Sequence, residues 1–129
     1  MGTPVRSNHV ADATVTIAQV GSTDDFTATI QLLGVNGKAL ANMGAVQFYM
    51  SIAATGTDIA VDSTDVVSLA IGTDGLCLEI SANVYGWLIS ESDGDIDLAI
   101  EIADDKVAYL NLIMPDGTLI TSDAMSYTA

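Results

Sequence analysis

From Ala13 onward the chain alternates apolar and polar residues with a period of two, broken at intervals by turn residues. That rhythm belongs to β-strands with one buried face. Val15 and Ile17 alternate with Thr14 and Thr16, and Phe26, Ala28, Ile30 and Leu32 alternate with Thr27, Thr29 and Gln31. Val46, Phe48, Met50 and Ile52 alternate with Gln47, Tyr49 and Ser51, which predicts a strand over 45–52. Residues 66–71 and 76–80 flank Gly72-Thr73-Asp74-Gly75 and are expected to form a hairpin. Residues 84–90 predict a strand with Trp87 as the expected core anchor, and residues 95–102 predict another. Residues 107–114 are apolar enough for a central place in a sheet, and 119–127 predict one last strand. Asn36-Gly37 and Pro115-Asp116-Gly117-Thr118 carry turn chemistry. The looser stretch 53–65 reads as a long loop holding a short edge strand at 58–61.

No helical window of useful length interrupts this pattern. Short strands with turns at roughly ten-residue spacing predict an all-β, two-sheet sandwich, with a closed barrel as the alternative. At 129 residues the chain has the size of one domain. Residues 1–12 combine Gly2, Pro4, Ser7, Asn8 and His9 without periodicity, and are expected to be a flexible N-terminal arm ahead of a sandwich over 13–129.

Composition narrows the function. Seventeen acidic residues oppose three basic ones, for a formal charge of -14. Nucleic-acid binding needs Lys and Arg to displace counterions, so direct binding is not expected, and an anionic membrane is disfavoured for the same reason. Acidity on this scale keeps an apolar β-protein soluble. Aromatic residues make up only 5%, so aliphatic side chains must fill the core, and no cofactor is required to complete it. Cys77 is the single cysteine, which excludes an internal disulfide and an all-Cys metal site. Within Leu76-Cys77-Leu78 it reads as a small buried hydrophobe. His9, the one histidine, lies in the expected arm, so neither a Cys nor a Ser nucleophile has an evident base. No apolar run reaches the roughly 18 residues of a membrane span, and residues 1–10 lack a signal-type apolar region.

Glu91, Asp93, Asp95 and Asp97 recur at every second position, so an extended backbone would turn their carboxylates to one side. Hard oxygen donors suit calcium, and Asp93, Asp95 and Asp97 are the candidate ligands. Gly94 signals a turn and no EF-hand loop is completed, so the competing reading is a solvated strand face beside a turn. Acidic pairs could also serve glycoside hydrolysis, but few aromatics are available to stack a sugar, and a non-enzymatic role is expected. Arg6, Tyr49 and Tyr85 are the interface candidates.

Three passages carry a resemblance: Ile71-Gly72-Thr73-Asp74-Gly75, Ser90-Glu91-Ser92-Asp93-Gly94-Asp95-Ile96-Asp97-Leu98, and Tyr109-Leu110-Asn111-Leu112-Ile113-Met114-Pro115-Asp116-Gly117-Thr118-Leu119. With the strand beginning at Phe26, they resemble small immunoglobulin-like structural proteins of tailed bacteriophages, of the capsid decoration type, over residues 13–127. The resemblance implies an immunoglobulin-like β-sandwich of about 8–9 antiparallel strands. It implies a non-enzymatic virion protein, made in the host cytoplasm, that decorates the head exterior by binding the major capsid protein or other virion proteins. Homo-oligomers formed through apolar edges belong to the same expectation. The alternative is a tail or fibre module that binds host-surface carbohydrate through Tyr49, Tyr85 and loop 53–65. No active-site residue follows from the resemblance. A polyanion beside packaged DNA meets an unfavourable potential, which places the expected site outside the shell.

Overall fold

Ten strands form two antiparallel sheets in the computed structural model, which describes residues 9–129. They are β1 (Asp12–Gln19), β2 (Asp25–Leu33), β3 (Ala45–Ser51), β4 (Val66–Ile71), β5 (Leu76–Ser81), β6 (Tyr85–Ile89), β7 (Asp95–Ile102), β8 (Val107–Ile113), β9 (Leu119–Thr121) and β10 (Met125–Ser126). One sheet has the order β1-β2-β7-β4, and the other runs β10-β8-β3-β6-β5 with β9 also paired to β8. The first sheet follows the A-B-E-D order of immunoglobulin domains, and β3, β8 and β9 with β10 take the C, F and G places. Strands β6 and β5 stand where C′ and C″ would, but they follow the D-position strand in the chain instead of preceding it. The protein is an all-β sandwich of two antiparallel sheets whose strand order follows the immunoglobulin pattern in part.

Alternation builds the core. On β2 the inward row is Phe26, Ala28, Ile30 and Leu32, and its register sets Ile30 beside Ile96, Ala28 beside Leu98 and Phe26 beside Ile100 on β7. The facing sheet contributes Val46, Phe48 and Met50 from β3, Leu88 from β6 and Ala108, Leu110 and Leu112 from β8. Each large aliphatic in this layer contributes about 1.5–3 kcal/mol through removal from water.

Several expectations are corrected. Strands β4 and β5 do not form a hairpin: β4 pairs with β7 in one sheet and β5 pairs with β6 in the other. The 72–75 turn runs along β7 instead, with the Gly72 N–H donating to the Asp97 carbonyl and the Asp97 N–H donating to the Asp74 carbonyl. The hairpin is β5–β6, closed by the Val84 N–H donating to the Ser81 carbonyl, with Asn83 at positive φ. The expected last strand is split into β9 and β10, because Ser122 Oγ takes the place of a backbone carbonyl and accepts the Leu110 N–H at 3.0 Å. The expected edge strand at 58–61 shrinks to a single bridge between Ser51 and Ile59.

The chain is also docked earlier than the expected arm boundary. Val10 is buried in the core and the Ala11 N–H donates to the Leu33 carbonyl at 2.9 Å. Arg6 and the rest of the expected arm up to Asn8 lie outside the described residues.

Candidate functional site

Trp87 is not in the core. On β6 the inward positions are Gly86 and Leu88, with Val84 and Ser90 buried just outside its two ends, so Trp87 falls on the opposite parity and stands 39% exposed on the outside of the six-stranded sheet. The cross-strand register places it in a row that spans the sheet: Leu78, Trp87, Gln47, Ile113 and Leu119. A second row above it holds Leu76, Ile89 and Ala45. Leu76 and Leu78 are 56% and 55% exposed, which makes this half of the outer face an open apolar surface. Beside Trp87 a shallow groove of about 510 Å³ is bordered by Gln47, Ile113, Met114 and Pro115.

The row below is treated differently. It contains Ser81, Tyr85, Tyr49, Asn111 and Thr121, so the two expected interface tyrosines are direct cross-strand neighbours. Gln47 Nε2 donates to the Tyr85 hydroxyl at 3.1 Å, and the Tyr49 hydroxyl donates to the Gly56 carbonyl at 2.6 Å. The loop after β3 is thereby drawn over this end of the sheet. Beneath it Asn111 is fully buried, donating to Ser51 Oγ at 2.9 Å and accepting from Thr121 Oγ1 at 2.7 Å. One end of the outer face is closed by the protein's own loop while the Trp87 end stays open.

The outer face of the four-stranded sheet has the opposite chemistry. Its rows read Thr16, Thr29 and Asp97, then Thr14, Gln31 and Asp95, with Asp25 beside Glu101 at one end. Asp95 and Asp97 share a side, as expected, and Asp74 from the 72–75 turn joins them with carboxylate oxygens within 4.8 Å of one another. Asp93 is not part of this group; its carboxylate accepts the Asp95 N–H at 3.2 Å and caps the turn. Thr73 donates to Asp97 Oδ2 at 2.6 Å. Among the described residues Asp74, Asp95 and Asp97 form one of two acidic groups that could share a cation, Asp24, Asp25 and Glu101 forming the other, but calcium takes six to eight oxygens, so water would have to supply most of either shell.

Crowded carboxylates resist losing their protons. The Asp95 carboxyl is pushed up to about 6, by burial first, then by its hydrogen bond with Asp74 and the charges of Asp97, Asp74 and Asp93. Glu91 is raised as well, chiefly by the Asp74 charge. A folded-state pKa above the unfolded value means that the folded protein binds the extra proton, so stability rises as pH falls through about 6 and is lost as pH climbs back. Asp95→Asn should therefore melt at a higher temperature than the parent at pH 7, with the gap closing toward pH 4. Melting curves separated by a constant interval across that range would overturn this account.

Cys77 is half-buried on β5, where burial and then the charge of Glu79 push its thiol up to about 11. It is a protonated thiol at neutral pH, not a nucleophile. His9 is exposed beside Val35 and Pro115. Among the described residues, neither Cys77 nor His9 belongs to a cluster of metal-ligating groups.

No family model matches the chain, and no curated protein matches it. Fold and surface together define a two-sheet antiparallel sandwich with one wet, acidic face and one open apolar face centred on Trp87.

Proposed function

We propose that this chain is a non-enzymatic structural protein of the tailed-phage virion, a decoration protein that sits on the head exterior and docks on the capsid through the outer face of its six-stranded sheet. The observation that carries this reading is the exposed Trp87 between Leu78 and Gln47, flanked by a groove. Trp at the centre of an apolar patch with a polar rim is the composition of an interface hot spot. The partner is a capsid surface with an apolar centre and a cationic rim, because the surrounding chain carries -14 net charge.

The acidic face then points away from the shell. Truncating a central Trp typically costs 2 kcal/mol or more, about 30-fold in affinity. Trp87→Ala should lower occupancy on purified heads by about that factor while leaving the circular dichroism spectrum unchanged. Cryo-EM of the particle should show the chain outside the head. Density on the inner wall, or full occupancy by the variant, would overturn the proposal.

The carbohydrate alternative draws on one observation, the pairing of an exposed indole with the Gln47 amide at a groove. Tyr49 is ill placed for that role, since its hydroxyl is committed to Gly56. Binding of the isolated protein to a glycan array, lost in Trp87→Ala, would favour this reading over capsid docking.

A further inference from the structure

The two sheets have four edges, formed by β1, β4, β5 and the pair β9 and β10, and an open edge invites pairing with another chain. Three of them are guarded. Strand β1 shows Asp12, Thr14 and Thr16 to solvent. Strands β9 and β10 are only three and two residues long and are interrupted between Thr121 and Met125. The β4 edge is occupied by the side chain of Asn83, whose Oδ1 accepts the Leu69 N–H at 3.0 Å and whose Nδ2 donates to the Val67 carbonyl at 3.2 Å. One amide there imitates a neighbouring strand.

Strand β5 has no such guard over 76–79, its one bulge falling after Glu79 at the end next to the turn. It pairs with β6 on one side only, and among the described residues no backbone hydrogen bond joins 76–80 to anything else. It has neither Lys nor Pro, and Leu76, Leu78 and Ile80 are all more than half exposed. Its one charge, Glu79, is held toward its own turn by the Asn83 N–H.

We infer that the β5 edge is a self-association surface, where β5 of a second copy pairs antiparallel about a two-fold axis and fuses two six-stranded sheets into one. An antiparallel strand is its own complement under such an axis, and the contact closes on itself. Centred on Leu78, the pairing sets Leu76 beside Ile80 of the second copy and Cys77 beside its Glu79, so the two Glu79 carboxylates do not oppose each other. Charge selects this place. Two chains of -14 repel across most of their surfaces, and the β5 strip lets them meet with a single, already committed carboxylate each. Fusion also sets two Trp87 faces side by side on one continuous sheet. The inference does not depend on the virion assignment.

Sedimentation equilibrium of the full chain tests it. A reversible dimer is expected, and raising salt from about 0.1 to about 1 M should tighten it by screening like charges. Leu78→Lys installs the missing edge guard on an already exposed side chain, and should weaken the dimer at least tenfold with an unchanged circular dichroism spectrum. Leu119→Lys, at the far end of the same outer row, should leave the dimer intact. Hydrogen exchange should show those 76–80 amides that point away from β6 protected in the parent and released in Leu78→Lys. A parent that is monomeric under all these conditions, a dimer indifferent to Leu78→Lys, or one lost in Leu119→Lys alone would overturn the inference.

Discussion

Gly86→Val should cost the protein about 3 kcal/mol or more, a severe loss for a domain whose total stability is of the order of 5–15 kcal/mol. Gly86 is buried on β6, where β5 bulges between Glu79 and Ser81. A Cβ there would overlap the Leu78 carbonyl oxygen and lie 2.9 Å from Glu79 Cα, both backbone atoms that cannot swing aside as a flexible side chain would. The only relief is for β5 to move off β6, which strips the six-stranded sheet of its outer strand and shifts Leu76 and Leu78. Urea denaturation is the direct measurement, and Gly86→Ala should already lower the midpoint, with Gly86→Val lowering it further. A valine variant with the parent's midpoint would show that the bulge is not locked by this contact.

The second large effect belongs to Asn111. Its Nδ2 donates to Ser51 Oγ and points between the Tyr49 and Tyr109 carbonyls, each at 3.3 Å, in a fully buried position. Asn111→Asp replaces that donor with an oxygen that faces acceptors, and at neutral pH it buries an uncompensated charge at a cost of about 3–5 kcal/mol. The carboxyl escapes by taking a proton, so its folded-state pKa must lie above the unfolded value. Stability should thus be lowest at pH 7 and recover as pH falls through the folded pKa toward 4, relative to the parent under the same conditions. Chemical denaturation of both proteins at the two pH values measures it. A loss that does not change with pH would mean that the side chain reaches water.

The period-two rhythm was enough to place the interior of nearly every long strand, because the rows that alternate most cleanly, such as Phe26 to Leu32 and Ile96 to Ile102, are the rows that pack across the sandwich. Partner choice was not legible in the same way. The expected 66–80 hairpin rested on a turn-like tetrapeptide, yet Gly72 and Asp74 bond to β7, a strand more than twenty residues further on. Nothing local records that contact.

Size suggests burial for Trp87, and parity alone sets it opposite Leu88 without saying which side is inward, since Tyr85, Trp87 and Ile89 are as apolar a row as Val84, Gly86, Leu88 and Ser90. Asn111 sits in an apolar run with no signal that a loop would close over it. Asp74 joins Asp95 and Asp97 only through the fold, which no spacing rule could report.

Under the proposed docking on a capsid, the carboxylates and hydroxyls on the outside of the four-stranded sheet would have a consequence at the scale of a particle. Repeated over a shell, they would make a hydrated anionic brush that holds neighbouring particles apart and repels negatively charged cell envelopes. Colloidal dispersion would then be greatest in dilute buffer, with clumping and adhesion growing as counterions screen the coat.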